Sequence, residues 1–202
     1  GDSEMVKAAL SEMLGARATL GGNTSAYAPP TRPPSGLQSH PLPSIIVDLD
    51  ATQLQLVDRL LASPDDDEVL SEILREGVPM VPALLSKQPG PLRCSIDALV
   101  SGEVKRSQAG PLLRALVALR RTALPFLVAQ SGSKNTEQRL LATLLLGEFP
   151  DAEAAQGLVP RFFDADASVA RAAMQSGRAL RGTPQVFEAL QAELARLVAA
   201  ES

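Results

Sequence analysis

From residue 110 onwards the chain repeats a pattern of apolar stretches separated by short polar breaks. Within each stretch the apolar residues recur at the spacing that places them along one side of a helix. Each stretch is about ten to fifteen residues long and each break about two to five, which favours helices that run antiparallel to their neighbours. The predicted helical stretches are 110–121, 122–133, 135–149, 151–164, 166–180 and 183–200.

Two shorter helices are predicted before this region, and single residues mark their ends. Asp50 is positioned to cap a helix over residues 51–62, which Pro64 ends. One acid of Asp65–Asp67 is expected to cap the second helix, and Gly77 to end it. The residues expected on the apolar side of this second helix are Val69, Leu70, Ile73 and Leu74.

The next thirty or so residues are less regular. Residues 78–90 are apolar with a proline near their start, whereas residues 91–109 predict a long loop with one turn of helix. The acidic run 65–68 is explained without a metal ion, because acids at a helix N-terminus are favoured by the backbone dipole. No metal site is therefore predicted.

The first fifty residues differ in composition from the rest. Residues 1–20 predict an amphipathic helix, and residues 21–49 predict a proline-rich linker or extended arm. Within that arm, residues 30–33 are either a polyproline recognition element or part of a plain spacer. The β-branched run at 44–50 would pair with another strand or cross the surface in extended form. Residues 50–202 are the predicted helical domain.

Arginines and prolines recur along the chain at fixed distances. Arg139 and Arg171 lie 32 residues apart, each in the first turns of a helix that follows a polar break. Pro79 and Pro125 precede Arg93 and Arg139 by the same 14 residues. A self-similar unit of this length is typical of an α-solenoid. The alternative is a non-repetitive helical bundle in which the spacing coincides by chance.

Two copies of one motif stand in these units. The first copy is Leu-Pro-Phe-Leu at 124–127 followed by Gln-Arg-Leu-Leu-Ala at 138–142. The second copy is Val-Ala-Arg-Ala-Ala at 169–173, preceded by an aspartate-rich turn. The motifs resemble HEAT-like repeats of the short bacterial kind over roughly residues 110–182. The second copy departs from that pattern, because glycine stands at position 157 where the offset would place proline.

The resemblance implies a short, right-handed α-solenoid of about three to four antiparallel helical hairpins. HEAT-type repeats bind a protein or peptide on a curved face, here through the second helix of each hairpin. The implied function is a non-catalytic protein–protein interaction scaffold, as a module of a larger bacterial multidomain protein. The alternatives are a structural or oligomerising element, and a HEAT-like lyase or repair-type enzyme acting in a concave groove.

The inventory of reactive side chains points away from catalysis. The single histidine, His40, lies in the predicted linker, so no Ser-His-Asp or Cys-His arrangement can form on a folded element. Cys94 is expected to be a partly buried structural thiol, and a lone cysteine fits a reducing cytoplasm. The chain is therefore predicted to be no enzyme, to need no cofactor and to be cytoplasmic.

Charge and hydropathy narrow the class of partner. The net charge of −4 is unevenly distributed, because residues 45–110 hold eleven acids and six bases, whereas residues 111–202 hold nine acids and ten bases. No segment has the clustered basic excess that nucleic-acid binding requires. The longest apolar run is far shorter than the roughly 20 residues that span a bilayer. We expect protein partners, and we expect a larger parent protein because the chain opens on Gly1.

Two local features suggest where a partner binds. The basic stretch 114–139 contrasts with the acidic region 58–76, and such patches either dock a charged partner or are ordinary solvated faces. Phe162 and Phe163 are adjacent, so one packs inside and the other is wedged between repeats or available to a partner. The candidate partner-binding residues are Arg120, Arg121, Lys134, Arg139, Arg161 and Phe162.

Arg139 has a second expected role, which is structural. It lies beside the start of its helix, where it can reach the carbonyls of the preceding turn or acids such as Asp164 and Asp166.

Overall fold

The computed structural model describes residues 49–180 and 182–200, and within those ranges it contains ten α-helices, three 3-10 helices and no strand. The prediction of an all-α fold is confirmed for this part of the chain. All of these residues belong to one compact unit, Val47–Ser202. The helix predicted over residues 1–20 and nearly all of the linker predicted over 21–49 lie outside the described residues.

The helices follow the predicted stretches closely. The α-helices are α1 Ala51–Ala62, α2 Asp67–Glu76, α3 Met80–Ser86, α4 Ile96–Ser101, α5 Pro111–Ala118, α6 Leu124–Ser131, α7 Thr136–Leu146, α8 Ala154–Leu158, α9 Ala167–Leu180 and α10 Pro184–Ala200. The 3-10 helices are Arg106–Gln108, Arg120–Thr122 and Val159–Phe163. None of the helices in the described ranges is both long and apolar enough to cross a membrane.

Side-chain caps fix where several helices begin. The Asp50 carboxylate accepts a hydrogen bond from the Thr52 N–H at 2.9 Å, as predicted for the start of α1. Asp66 caps α2, and Gly77 ends it with φ at 71°, a conformation that glycine adopts without strain. Asn135 caps α7 through the N–H groups of the two residues that follow Thr136. Each cap satisfies backbone donors that have no partner inside the helix.

The centre of the domain is α7. Every residue from 140 to 146 is buried, and α7 packs against α5, α6, α8 and α9. A helix that is buried on all sides is apolar on all sides, and five of these seven residues are leucine. No face of α7 between residues 140 and 146 therefore remains open to a partner.

One predicted core position on α2 is wrong. Val69, Leu70 and Ile73 are buried, but Leu74 is 38% exposed. The buried stripe of α2 is narrower than its sequence pattern, because the helix packs against α1 and α5 on one side only.

The glycine that departs from the repeat pattern lies at a close approach between helices. A Cβ atom on Gly157 would lie 2.6 Å from Leu146 Cδ1 and 3.3 Å from Val128 Cα. The absence of a side chain therefore allows α8 to contact α6 and α7 closely. Immediately afterwards α8 gives way to a 3-10 helix at Val159, one residue before Pro160, because proline cannot continue the α-helical hydrogen bonding.

The irregular segment 91–109 is mostly loop, as predicted, and carries one short α-helix. Ser95 caps α4, and α4 packs against α9, which lies about 70 residues further along the chain. Beyond α4 the buried Arg106 donates to Glu148 at 3.1 Å, just after the end of α7. The segment is thus fixed at two places to the C-terminal half of the domain.

Candidate protein-interaction surface

A groove of about 520 Å³ lies between α4 and α9. It forms because α4 is short and meets only part of the exposed side of α9. The residues that line it are Ser95, Asp97, Ala98, Val100, Ser101, Glu103, Arg171, Met174, Gln175 and Arg178. We refer to it as the α4–α9 groove.

The α9 wall of the groove is one face of a regular helix. Arg171, Met174, Gln175 and Arg178 stand three, four and seven residues apart, the spacing that aligns side chains along a helix. Met174 and Gln175 are half-buried, and the two arginines at either end are exposed. The Gln175 side chain donates to the Ser101 carbonyl at 3.5 Å, so the two walls meet there.

The charged side chains of the groove are unpaired. Asp97 and Glu103 stand on the α4 side and Arg171 and Arg178 on the α9 side, yet none of the four forms an ion pair within the described residues. Of the ten other arginines in the described part, eight form ion pairs. The groove therefore combines unsatisfied charge of both signs.

A buried ion-pair network lies at the start of α7, and its charged side chains are paired, unlike those of the groove. The Asp164 side chain is 4% exposed and accepts from Arg139 Nε at 3.0 Å and Nη2 at 3.1 Å. Arg161 Nη1 and the Asp166 N–H also donate to this carboxylate, at 2.9 and 3.1 Å. Arg139 further donates to the Ser133 carbonyl at 3.0 Å. The predicted contacts of Arg139 with turn carbonyls and with Asp164 are confirmed.

The network lowers the pKa of Asp164 below its ordinary value. Burial alone would raise this pKa, but the hydrogen bonds from Arg139 and the Asp166 N–H, together with the charges of Arg139 and Arg161, outweigh it. The carboxylate therefore stays ionised to lower pH in the folded chain.

The structure separates the predicted partner-binding residues into two groups. Arg139 and Arg161 come together on Asp164, with side chains only 15% and 22% exposed. Arg120, Arg121 and Lys134 are exposed, although Arg121 pairs with Asp151 at 2.9 Å.

The choice of Phe162 as the partner-binding aromatic needs correcting. Phe162 is 3% exposed and its ring lies near Gly177 of α9, where a Cβ would be 3.1 Å from it. Phe163 is 46% exposed. Adjacent residues of a helical turn point in different directions, and packing against α9 selects the first of them for the core.

Part of the acidic region 58–76 is paired at the surface with bases from elsewhere in the domain. Arg93 donates to Asp65 at 2.6 Å, and Arg114 forms an ion pair with Asp67. Asp66 between them caps α2. The acidic run at the start of α2 is thus matched by cap and cation contacts within the described residues.

One feature of the sequence points to the α9 wall of the α4–α9 groove. Two arginines seven residues apart on α9, with a glutamine between them, mark a polar face on an otherwise apolar helix. No signal in the sequence places α4 against that face. Comparison of the chain with protein-family models, with curated proteins and with solved structures finds no match.

Proposed function

We propose that this chain is a HEAT-like protein-interaction module that holds a segment of a partner protein in the α4–α9 groove. The observation that carries the proposal is the unpaired charge of the groove. Arg171 and Arg178 line the same groove as Asp97 and Glu103, and none of the four forms an ion pair within the described residues, so a bound segment can make contacts that the chain leaves unmade. Such polar contacts give an interface its specificity.

The repeated motif supports the solenoid part of the proposal. In the HEAT-like reading α6 and α7 form one hairpin, α8 and α9 the next, and partners bind on the second helices. Residues 140–146 of α7 are buried, which leaves the exposed face of α9 as the second-helix surface for binding. The stretch 91–109, which breaks the repeat, supplies the opposite wall.

The proposed role is binding without catalysis or a cofactor. General acid–base and nucleophilic catalysis need a reactive group held by a neighbouring partner. In the part of the chain that the structure describes, the carboxylates of Asp97 and Glu103 accept no side-chain hydrogen bond and stand opposite guanidinium groups that they do not contact. This arrangement suits recognition of charged groups.

Site-specific photo-crosslinking tests the proposal. We expect a benzophenone amino acid at Ser101, on the groove, to crosslink the full chain to a discrete protein in cells that produce it. The matched control carries the same amino acid at Ser71, an exposed serine of α2 away from the groove. Equal crosslinking from both positions, or crosslinking from Ser71 alone, would contradict the proposal.

A further inference from the structure

Arg139 is the fourth residue of α7 and Arg171 the fifth residue of α9, and each contacts the hydroxyl of the residue three positions earlier. Arg139 Nη2 donates to the hydroxyl of Thr136 at 3.4 Å. Arg171 Nη2 lies 3.5 Å from the hydroxyl of Ser168, again three residues earlier. Both guanidinium groups are therefore placed near the start of the helix by the same local contact.

The two arginines differ in what lies on the other side of the guanidinium. Arg139 holds the Asp164 carboxylate through two hydrogen bonds, and that aspartate comes 25 residues later in the chain. The residue 25 positions after Arg171 is Arg196, which pairs with Glu193. No carboxylate within the described residues pairs with Arg171.

We propose that the α4–α9 groove binds an acidic segment of a partner protein, in which a side-chain carboxylate binds Arg171 in the two-point manner in which Asp164 binds Arg139. This inference rests on the proposed function and specifies its ligand chemistry. A planar guanidinium presents paired donors that match the two oxygens of a carboxylate, so Arg171 is suited to this contact. The ammonium group of a lysine acts as a point charge and does not make it.

The second arginine of the groove sets the spacing of the acidic groups. Arg178 is seven residues after Arg171, which places it about 10 Å further along the helix axis at 1.5 Å per residue. A partner segment that satisfies both arginines carries two Asp or Glu side chains on the same side, about 10 Å apart. Between them Met174 offers an apolar contact.

The opposite wall restricts the partner further. Asp97 and Glu103 repel a uniformly acidic chain and attract a base. The segment that fits the groove therefore has acidic residues on the edge facing α9 and a lysine or arginine on the edge facing α4. Opposed charges of this kind select the orientation of the bound segment as well as its composition.

Selection from a phage-displayed library of random 12-residue peptides tests this inference. The peptides are joined to the coat protein at their C-terminus, so only side chains supply carboxylates. The full chain is the target, and the test variant is Arg171→Glu with Arg178→Glu. The matched control is Arg75→Glu with Lys105→Glu, which changes the charge equally at exposed positions without ion pairs in the described part and outside the groove lining; Arg75 and Arg178 each lie in the last turn of a helix.

We expect the selected peptides to carry paired Asp or Glu residues with a basic residue, and to bind the test variant about tenfold or more weakly than the unchanged chain and the control. Binders that lose affinity only in the test variant but show no acidic enrichment would overturn the acidic-segment inference and leave the groove as a binding site. Peptides that bind the test variant and the control equally well, or a selection that enriches no peptide, would count against the groove as a binding site.

Discussion

At the scale of single residues, Asp164 shows how one carboxylate organises a turn. Its two oxygens accept from Arg139, Arg161 and the Asp166 N–H, so three segments of chain depend on one buried charge. The sequence predicted the contact with Arg139, because an arginine beside its helix start can reach turn carbonyls or acids such as Asp164. It could not predict that Arg161 would join them.

We predict that Asp164→Asn lowers the free energy of unfolding by about 3 kcal/mol at pH 7, because it leaves Arg139 and Arg161 partly buried beside a neutral amide. The folded-state pKa of Asp164 is lowered, so its stabilising contribution is complete above the ordinary aspartate pKa of about 3.9 and is lost as the pH falls through the lower folded value. Urea unfolding between pH 7 and pH 2 measures both effects.

The control for Asp164 is Asp166→Asn. Asp166 caps α9 by accepting from Ser168 N–H at 2.9 Å, and asparagine caps a helix about as well as aspartate. We expect a change within about 0.5 kcal/mol at pH 7. A gap between the two variants that stays constant down to pH 2 would show that the charge of Asp164 is not the source of its effect.

At the scale of elements, the sequence predicted where the helices lie better than it predicted which of their residues are buried. Helix positions follow from local periodicity and from caps such as Asp50 and Asn135, which act within three residues. Burial depends on which elements meet, and Leu74 is exposed because nothing covers that side of α2. The groove was not predicted for the same reason, because α4 and α9 are far apart in sequence and come together only in the folded chain.

The central helix gives the sharpest prediction at this scale. Leu144 of α7 is 1% exposed, so Leu144→Asp buries an unpaired charge and we expect it to cost several kcal/mol or to prevent folding. Thermal unfolding followed by circular dichroism measures this. Leu74→Asp makes the same change at an exposed position, and we expect a cost within about 1 kcal/mol. Similar melting temperatures for both variants would refute the placement of the core.

At the scale of the whole molecule, Arg106 and Glu148 join the irregular segment to the end of the central helix. They are 42 residues apart in sequence, and Arg106 is 8% exposed, with two guanidinium nitrogens that find no hydrogen-bond partner among the described residues. The sequence held no indication of this contact, because Arg106 lies in a short 3-10 helix of the irregular segment and Glu148 in the turn after α7, and the positions of both depend on the rest of the fold. Within the described residues, Glu148 is thus the acid that neutralises the buried positive charge of Arg106.

We predict that Glu148→Gln destabilises the chain by about 3 kcal/mol, because it leaves the Arg106 charge buried and unpaired. Replacing the cation itself by Arg106→Met removes the charge at similar volume, and we expect a smaller loss. Chemical denaturation measures both. Glu72→Gln breaks the exposed pair with Arg59 and is expected to cost within about 1 kcal/mol. Equal losses from the two glutamate variants would contradict a charge effect at Arg106.

The close approach at Gly157 has a consequence for how this chain can evolve. Duplication of the preceding 32-residue unit would bring proline, the residue at position 125, into position 157. Even one methyl group there would meet Leu146 Cδ1 at 2.6 Å, so a copy of the first unit in this place would force the Leu146 side chain to move. A chain with proline at this position would therefore need compensating changes in the side chains that surround it on α6 and α7.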